Sequence, residues 1–247
     1  MLKRAAFVIA CLLCMVAGPA LAEEKVFING IDANYPPFAY VDQSGKPSGF
    51  DVEAVDWIAA KMGFKVKHVP VDWDGIIPNL LAKKIDFICS GMTITKERAE
   101  KVNFSAPYWE VKNVFVTKKD SKLKAEEIYG KDVTVGMQAG TSEAKWMAEE
   151  KEKQGWKFTI KYYDSAPMAI EDLVNGRIEV AAMNYPPARD AEKKKPVQII
   201  GIFGEVEEFG AAVRKEDKEL LDKLNKGFEM LKADPYWKEL IAKHLNK

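Results

Sequence analysis

The chain has 247 residues, 47% of them hydrophobic, and its 37 basic and 37 acidic side chains cancel. That much apolar material can form a packed core and excludes wholesale disorder, and the length allows one large domain or two modest ones. The balanced charge excludes the basic excess of a typical nucleic-acid binder.

The elements follow in chain order. Lys3 and Arg4 precede an uncharged apolar stretch from Ala5 to Val16, then the breakers Gly18 and Pro19 and the small-residue site Ala20-Leu21-Ala22. This pattern predicts a secretory signal cleaved after Ala22. A membrane anchor is the lesser reading, because the run falls short of the roughly 20 residues a spanning helix needs. A lipidated cysteine is weaker still. Leu13 is too large before Cys14, and Cys11 leaves too little apolar run ahead of it. After cleavage only Cys89 remains, so no intramolecular disulfide is available, and its run from Ile85 predicts a buried thiol.

Residues 26–30 read as a strand that Pro36 and Pro37 cannot continue. A turn is expected at 42–45 and a helix over 51–62, closed by Gly63. A strand over 64–69, a helix over 73–83 and a strand over 85–90 complete a first alternating unit, with a short polar helix beyond it. A second unit comprises strand 132–137, helix 142–154, strand 158–162, helix 167–175 and strand 178–183. Such alternation predicts mostly parallel sheets covered by helices. The tail offers a strand over 210–214, an amphipathic helix over 218–232 and a last helix over 236–244. With no third unit to complete, this tail is expected to return to the first one.

Signatures of catalysis are sparse. The histidines are His68 and His244 only, neither with a partner nearby in sequence, and both read as solvated surface residues. Zinc-ligand spacing, a phosphate loop and a nucleophile elbow are all missing, and no cofactor is expected. The run from Ser90 to Arg98 is more informative. It follows a buried strand, at the carboxyl edge where open α/β sheets bind ligands. Ser90, Gly91 and Thr93 offer hydroxyls and closely approachable backbone. Arg98 lies one helical turn beyond Thr95, and its guanidinium can hold a carboxylate through two parallel bonds. The alternative is a surface arginine paired with Glu97 or Glu100. Gln138 to Glu143 is the counterpart in the second unit, where Thr141 or Ser142 caps a helix whose start favours an anion, or serves as an ordinary cap. Tyr35, Phe38 and Trp73 follow first-unit strands and can wall a site. A core role suits Phe38 better than the other two.

At this point the mature chain resembles the family-3 periplasmic solute-binding proteins, which include histidine, lysine–arginine–ornithine and glutamine receptors of bacterial importers. The matching motifs are Asp32-Ala-Asn-Tyr-Pro-Pro-Phe38, Gly49-Phe-Asp-Val52, Asp74-Gly-Ile-Ile-Pro78, Ser90 to Arg98, Phe104-Ser-Ala-Pro-Tyr108, Gly140-Thr141, Asn175-Gly-Arg-Ile178 and Lys232-Ala-Asp234. The resemblance implies an α/β, two-lobed periplasmic-binding-protein fold of type II, its lobes joined by two crossing strands. Residues 23–111 and 208–247 would form the first lobe and 112–207 the second. It implies a small ligand, an amino acid with a polar or basic side chain, delivered to the membrane permease of an ABC importer by a periplasmic monomer.

The resemblance also implies roles. Arg98 clamps the ligand carboxylate, aided by the backbone of Thr93 and Thr141. Ser90 and Gly91 meet the α-amino group. Tyr35 and Trp73 line the side chain, and Asp32 reaches its tip. Gln138, Ser142 and Glu143 contribute from the second lobe, with Glu143 expected beside Asp32 at the side-chain end. The family's amino-group aspartate falls on Asn184 here, followed by an unusual Tyr185-Pro186-Pro187. An amide cannot neutralise an ammonium. Three other functions compete: a cyclohexadienyl-dehydratase-like enzyme using Glu143 or Asp32 as its acid, a binding protein for a small molecule that is not an amino acid, and a sensor module for a membrane receptor.

Overall fold

The computed structural model describes residues 25–245. The expected secretory signal and its cleavage point after Ala22 lie outside them. Among the described residues, no helix is long and apolar enough to cross a membrane.

The chain begins with strand β1 (Val26–Ile31) and a small antiparallel patch, β2 (Asn34–Tyr35), β3 (Ala39–Val41) and β4 (Pro47–Ser48). Helix α1 (Phe50–Met62) follows, with Asp51 and Glu53 in its first turn and left-handed Gly63 ending it. Both ends agree with the helix dipole and the usual glycine stop. Next come β5 (Lys65–Pro70), α2 (Ile76–Leu81), β6 (Phe87–Ile88), α3 (Lys96–Lys101) and β7 (Asn103–Phe104). The second half runs β8 (Trp109–Lys118), α4 (Ala125–Ile128), β9 (Thr134–Gln138), α5 (Ser142–Gln154), β10 (Thr159–Tyr163), α6 (Ala166–Val174), β11 (Val180–Asn184) and α7 (Tyr185–Lys194). The long strand β12 (Val197–Phe209), short β13 (Ala212–Val213) and helices α8 (Lys218–Ala233) and α9 (Pro235–Leu240) complete it.

These strands make two five-stranded sheets, ordered β5-β1-β6-β13-β7 and β10-β9-β11-β8-β12. In each, the first strand of the unit lies parallel between its second and third. The remaining pairings are antiparallel, so β13 and β8 run against these three while the outer strands β7 and β12 run with them. The tail does return: β13 sits inside the first sheet, and α8 packs on α1 through Leu220, Leu224 and Phe228. Gly227 permits this approach, since a Cβ there would come within 2.3 Å of Ile58.

The chain crosses between the sheets twice, outward into β8 and back along β12. These strands pair antiparallel with register breaks between Ile199 and Gly201 and between Phe203 and Glu207. Their near ends, Trp109, Val111 and Phe209, belong to the first lobe's aromatic core. Farther along, Val114 and Val116 pack on one face of the second sheet and Phe115 and Phe203 on the other.

Several expectations change. The helix expected over 73–83 is a single 3-10 turn at Trp73–Gly75 followed by α2, which stops at Leu81 ahead of Lys83, where the backbone turns left-handed at φ 60°. The strand expected over 85–90 pairs only at Phe87–Ile88. Its flanks serve side chains instead: Arg214 Nη1 donates to the Ile85 carbonyl at 2.6 Å, and Asp86 accepts from Ile28 N–H at 2.8 Å. Helix α7 was not expected after Pro186 and Pro187. Both prolines fall in its first turn, where no hydrogen bond from N–H is required. Neither histidine is solvated. His68 bridges Asn29 and Asp56 at 3.1 and 3.0 Å, and His244 meets Glu53 at 3.0 Å. Long-range packing brings those partners. Cys89 is buried, and burial pushes its thiol well above the ordinary value.

Candidate functional site

The carboxyl ends of β1, β6, β9 and β11 converge from the two sheets. From the first lobe, Asp32 follows β1. Its N–H donates to Ser90 Oγ at 2.9 Å, and its Oδ1 accepts from Asn34 N–H at 2.9 Å, a local turn device. Burial raises its carboxyl above the ordinary range, and the bond from Gln138 opposes this. Gly91 adopts φ 59°, and a Cβ there would stand 2.4 Å from the Tyr35 ring, so this turn requires glycine. Thr95 caps α3 by accepting from Arg98 N–H, which fixes the start of the side chain that matters most.

Arg98 spans the lobes. Its Nη1 donates to the Thr93 carbonyl and its Nη2 to the Gly140 carbonyl of the other lobe, each at 3.0 Å. The guanidinium lies 5.4 Å from the Trp73 ring centre, and Trp73 Nε1 donates to the same Gly140 carbonyl at 3.2 Å. Desolvation pulls Arg98 below its ordinary value, while Glu143 and Glu207 oppose that shift.

From the second lobe, Gln138 Nε2 donates across to Asp32 Oδ2 at 2.8 Å. Thr141 Oγ1 accepts from Ala144 N–H at 3.3 Å, capping α5, and donates to the Gln138 carbonyl at 3.0 Å. Ser142 Oγ donates to Glu207 at 3.1 Å. Glu143 is buried at the helix start, and desolvation and then Glu207 push its carboxyl from 4.5 up to about 7. Asn184 gives its amide N–H to Asn113 Oδ1 at 2.6 Å and accepts the Tyr35 hydroxyl.

All twelve candidates from the sequence line one pocket where the two sheets' edges meet: Asp32, Tyr35, Trp73, Ser90, Gly91, Thr93, Arg98, Gln138, Thr141, Ser142, Glu143 and Asn184. The charge of Glu143 acts on Arg98 and is coupled to that of Glu207, and Glu143 and Asp32 both act on Tyr35. Three further residues escaped the sequence. Glu207, on β12, accepts from Thr93 Oγ1 at 3.1 Å, yet its acidic run reads as a solvated edge. Asn113 stands buried and polar at the head of the apolar run 114–116 of β8. Asp51 is fully buried in α1, where it reads as a helix-start acid. Its Oδ2 accepts from Gly91 N–H at 2.6 Å and from the Tyr108 hydroxyl at 2.8 Å. Among the described residues, no group of three or more His, Cys, Asp or Glu side chains is arranged to hold a metal ion.

Two helix-flanked sheets, two crossing strands and a polar cavity at facing strand ends define a two-lobed binding-protein fold of type II. Residues 27–247 match the profile of the bacterial extracellular solute-binding proteins, family 3, and the chain belongs to that family. An L-arginine-binding protein of Pseudomonas aeruginosa is 31% identical, with 99% of this chain and 97% of the relative covered. The L-cystine-binding protein TcyJ of Escherichia coli is also 31% identical, with 86% and 79% covered. The solved structure of an ancestral arginine-binding protein bound to arginine superposes with a TM-score of 0.81 at 35% identity, over 88% of this chain and 97% of that one.

Proposed function

We propose that the protein captures an amino acid with a polar or basic side chain between its lobes and delivers it to the membrane permease of an ABC importer. The observation that carries this is Arg98, rooted in the first lobe, hydrogen-bonded to the Gly140 carbonyl of the second and facing the shared cavity. A ligand bonded to both halves favours the closed form over any open one, which is the differential affinity a closing mechanism needs. The twelve cavity residues are its ligand shell. The lobes comprise residues 23–111 with 208–247, and 112–207. The protein is exported after cleavage at Ala22 and works as a monomer in the periplasm without turning its ligand over.

The names of relatives support an amino acid without choosing one, since an arginine and a cystine receptor are equally identical to this chain. A thermal-shift screen over amino acids, amines and small carboxylates tests the reading, because ligand at 100 times its Kd adds about 2.7 kcal/mol. The best ligand is expected to shrink the radius of gyration in small-angle scattering. If no amino acid raises the melting temperature, the ligand class is wrong. Conversion of prephenate or arogenate would replace the binding role with an enzymatic one.

A further inference from the structure

An α-amino acid carries its ammonium two bonds from its carboxylate, so its head needs a cation and an anion side by side. Arg98 is the cation. Each of its Nη atoms donates one N–H to a main-chain carbonyl, which leaves further N–H groups of the guanidinium for a carboxylate, and it forms no ion pair with a described residue. Three acids nonetheless act on it, Glu143, Glu207 and, most weakly, Glu97, whose carboxylate is already paired with Lys145 and Lys101. Glu143 is only 5% exposed. Glu207 takes hydrogen bonds from Thr93 of one lobe and Ser142 of the other, so this acidic corner forms where the lobes meet. Asn184 stands in a neutral web, its N–H on Asn113 and its carbonyl on Tyr35. It offers no charge to balance a buried ammonium.

Resting on the amino-acid reading above, we propose that Glu143 and Glu207, and not residue 184, supply the counter-charge for the ligand's α-ammonium while Arg98 takes its carboxylate. These acids are specificity determinants for the amino-acid head. The consequence is a proton exchanged on binding. The groups facing Glu143 are Arg98 from α3, Glu207 from β12 and Tyr35 from β2, with Thr141 and Ser142 at its own helix start. Its carboxyl titrates at about 7. An ammonium arriving there favours the ionised form, so binding releases a proton below that pH. Affinity then rises with pH towards 7 and levels above it. A carboxylate seated there would do the opposite, taking up a proton and weakening as pH rises.

Calorimetry with L-arginine and with L-glutamine at pH 6, 7 and 8, in two buffers of different ionisation heat, reads this directly. The expected result is proton release at pH 6 and a Kd about three- to tenfold lower at pH 8 than at pH 6. In Glu143→Gln the pH dependence is lost. Glu207→Gln weakens binding by about tenfold or more. N-acetyl-L-arginine and N-acetyl-L-glutamine, which lack the ammonium, bind weakly and equally to the native protein and Glu143→Gln. Thermal melts of both variants establish that they are folded. Proton uptake, a flat profile in the native protein, or native affinity and native pH dependence in both variants overturns the assignment while the binding role stands. If the native protein binds neither amino acid, the ligand reading fails for these probes and the assignment fails with it.

Discussion

The two lobes support their halves of the cavity by different means. In the second, Thr141 joins Gln138 on one side and Ala144 on the other, each three residues away, so the cap is made within its own segment. In the first, the Ser90-Gly91 turn rests on Asp51, 40 residues earlier in the chain, which is also held by Tyr108, 57 residues beyond it. That carboxyl is fully buried and its Oδ1 has no hydrogen-bond partner. Desolvation drives it from 3.8 up to about 7, against the pull of its two hydrogen bonds. A local cap keeps its geometry wherever its helix forms. A turn propped on a buried acid depends on the packing of the whole lobe and on one proton.

The largest expected effect lies where the halves meet. Arg98→Ala removes a side chain that bonds to both lobes, and it is expected to cost about 2–5 kcal/mol of ligand binding by calorimetry. Arg98→Lys recovers only part, because an ammonium lacks the planar fork. Near-native affinity in the alanine variant would show that closure does not depend on this bridge.

The next effect isolates the first lobe. A carboxyl whose pKa is higher in the folded than in the unfolded chain makes the folded state bind more protons between the two values. Stability therefore falls as pH rises from about 4 to about 7, by on the order of 1 kcal/mol per pH unit, and is flat above. Glu143 acts in the same direction over a similar window. Asp51→Asn should reduce the fall of melting temperature with rising pH, and Glu143→Gln should reduce it further. An unchanged slope in Asp51→Asn would mean that the first lobe's turn does not rest on a titrating group.

A smaller effect is expected at the contact itself. Gly140 has φ 71°, and a Cβ there would meet Asp74 Oδ1 at 2.1 Å. Gly140→Ala combines backbone strain of about 1–2 kcal/mol with a clash that exists only when the lobes are together. Scattering at saturating ligand should show a larger radius of gyration than the native complex. An identical radius and affinity would show that Asp74 simply moves aside. The smallest effect belongs to the second lobe: Thr141→Ala should lower stability by about 1 kcal/mol, as a lost cap does, with no change in the pH slope. A changed slope would erase the contrast between a locally capped helix start and a turn that rests on a titrating acid.

The features legible in the residues alone are local ones. Helix α5 starts at a hydroxyl cap and ends at Gly155, α8 carries its Leu and Phe residues on one face, and Gly63 stops α1. Caps, glycine stops and apolar periodicity act within one or two turns, so neighbouring residues suffice to reveal them. The two crossing strands were not legible from their residues, because each passes from one core to another and β12 exposes Gly204, Glu205 and Val206 between them. The site divides in the same way. Residues just after strand ends, such as Ser90, Gly91 and Thr141, could be singled out from strand and turn signals alone. That Asn184 meets Tyr35 across 149 residues, that Asp51 lies under Gly91 and that Glu207 joins Arg98 and Glu143 were decided by tertiary structure. Burial and charge pairing depend on which distant elements come together, and this also sets the ionisation of the acids at the cavity.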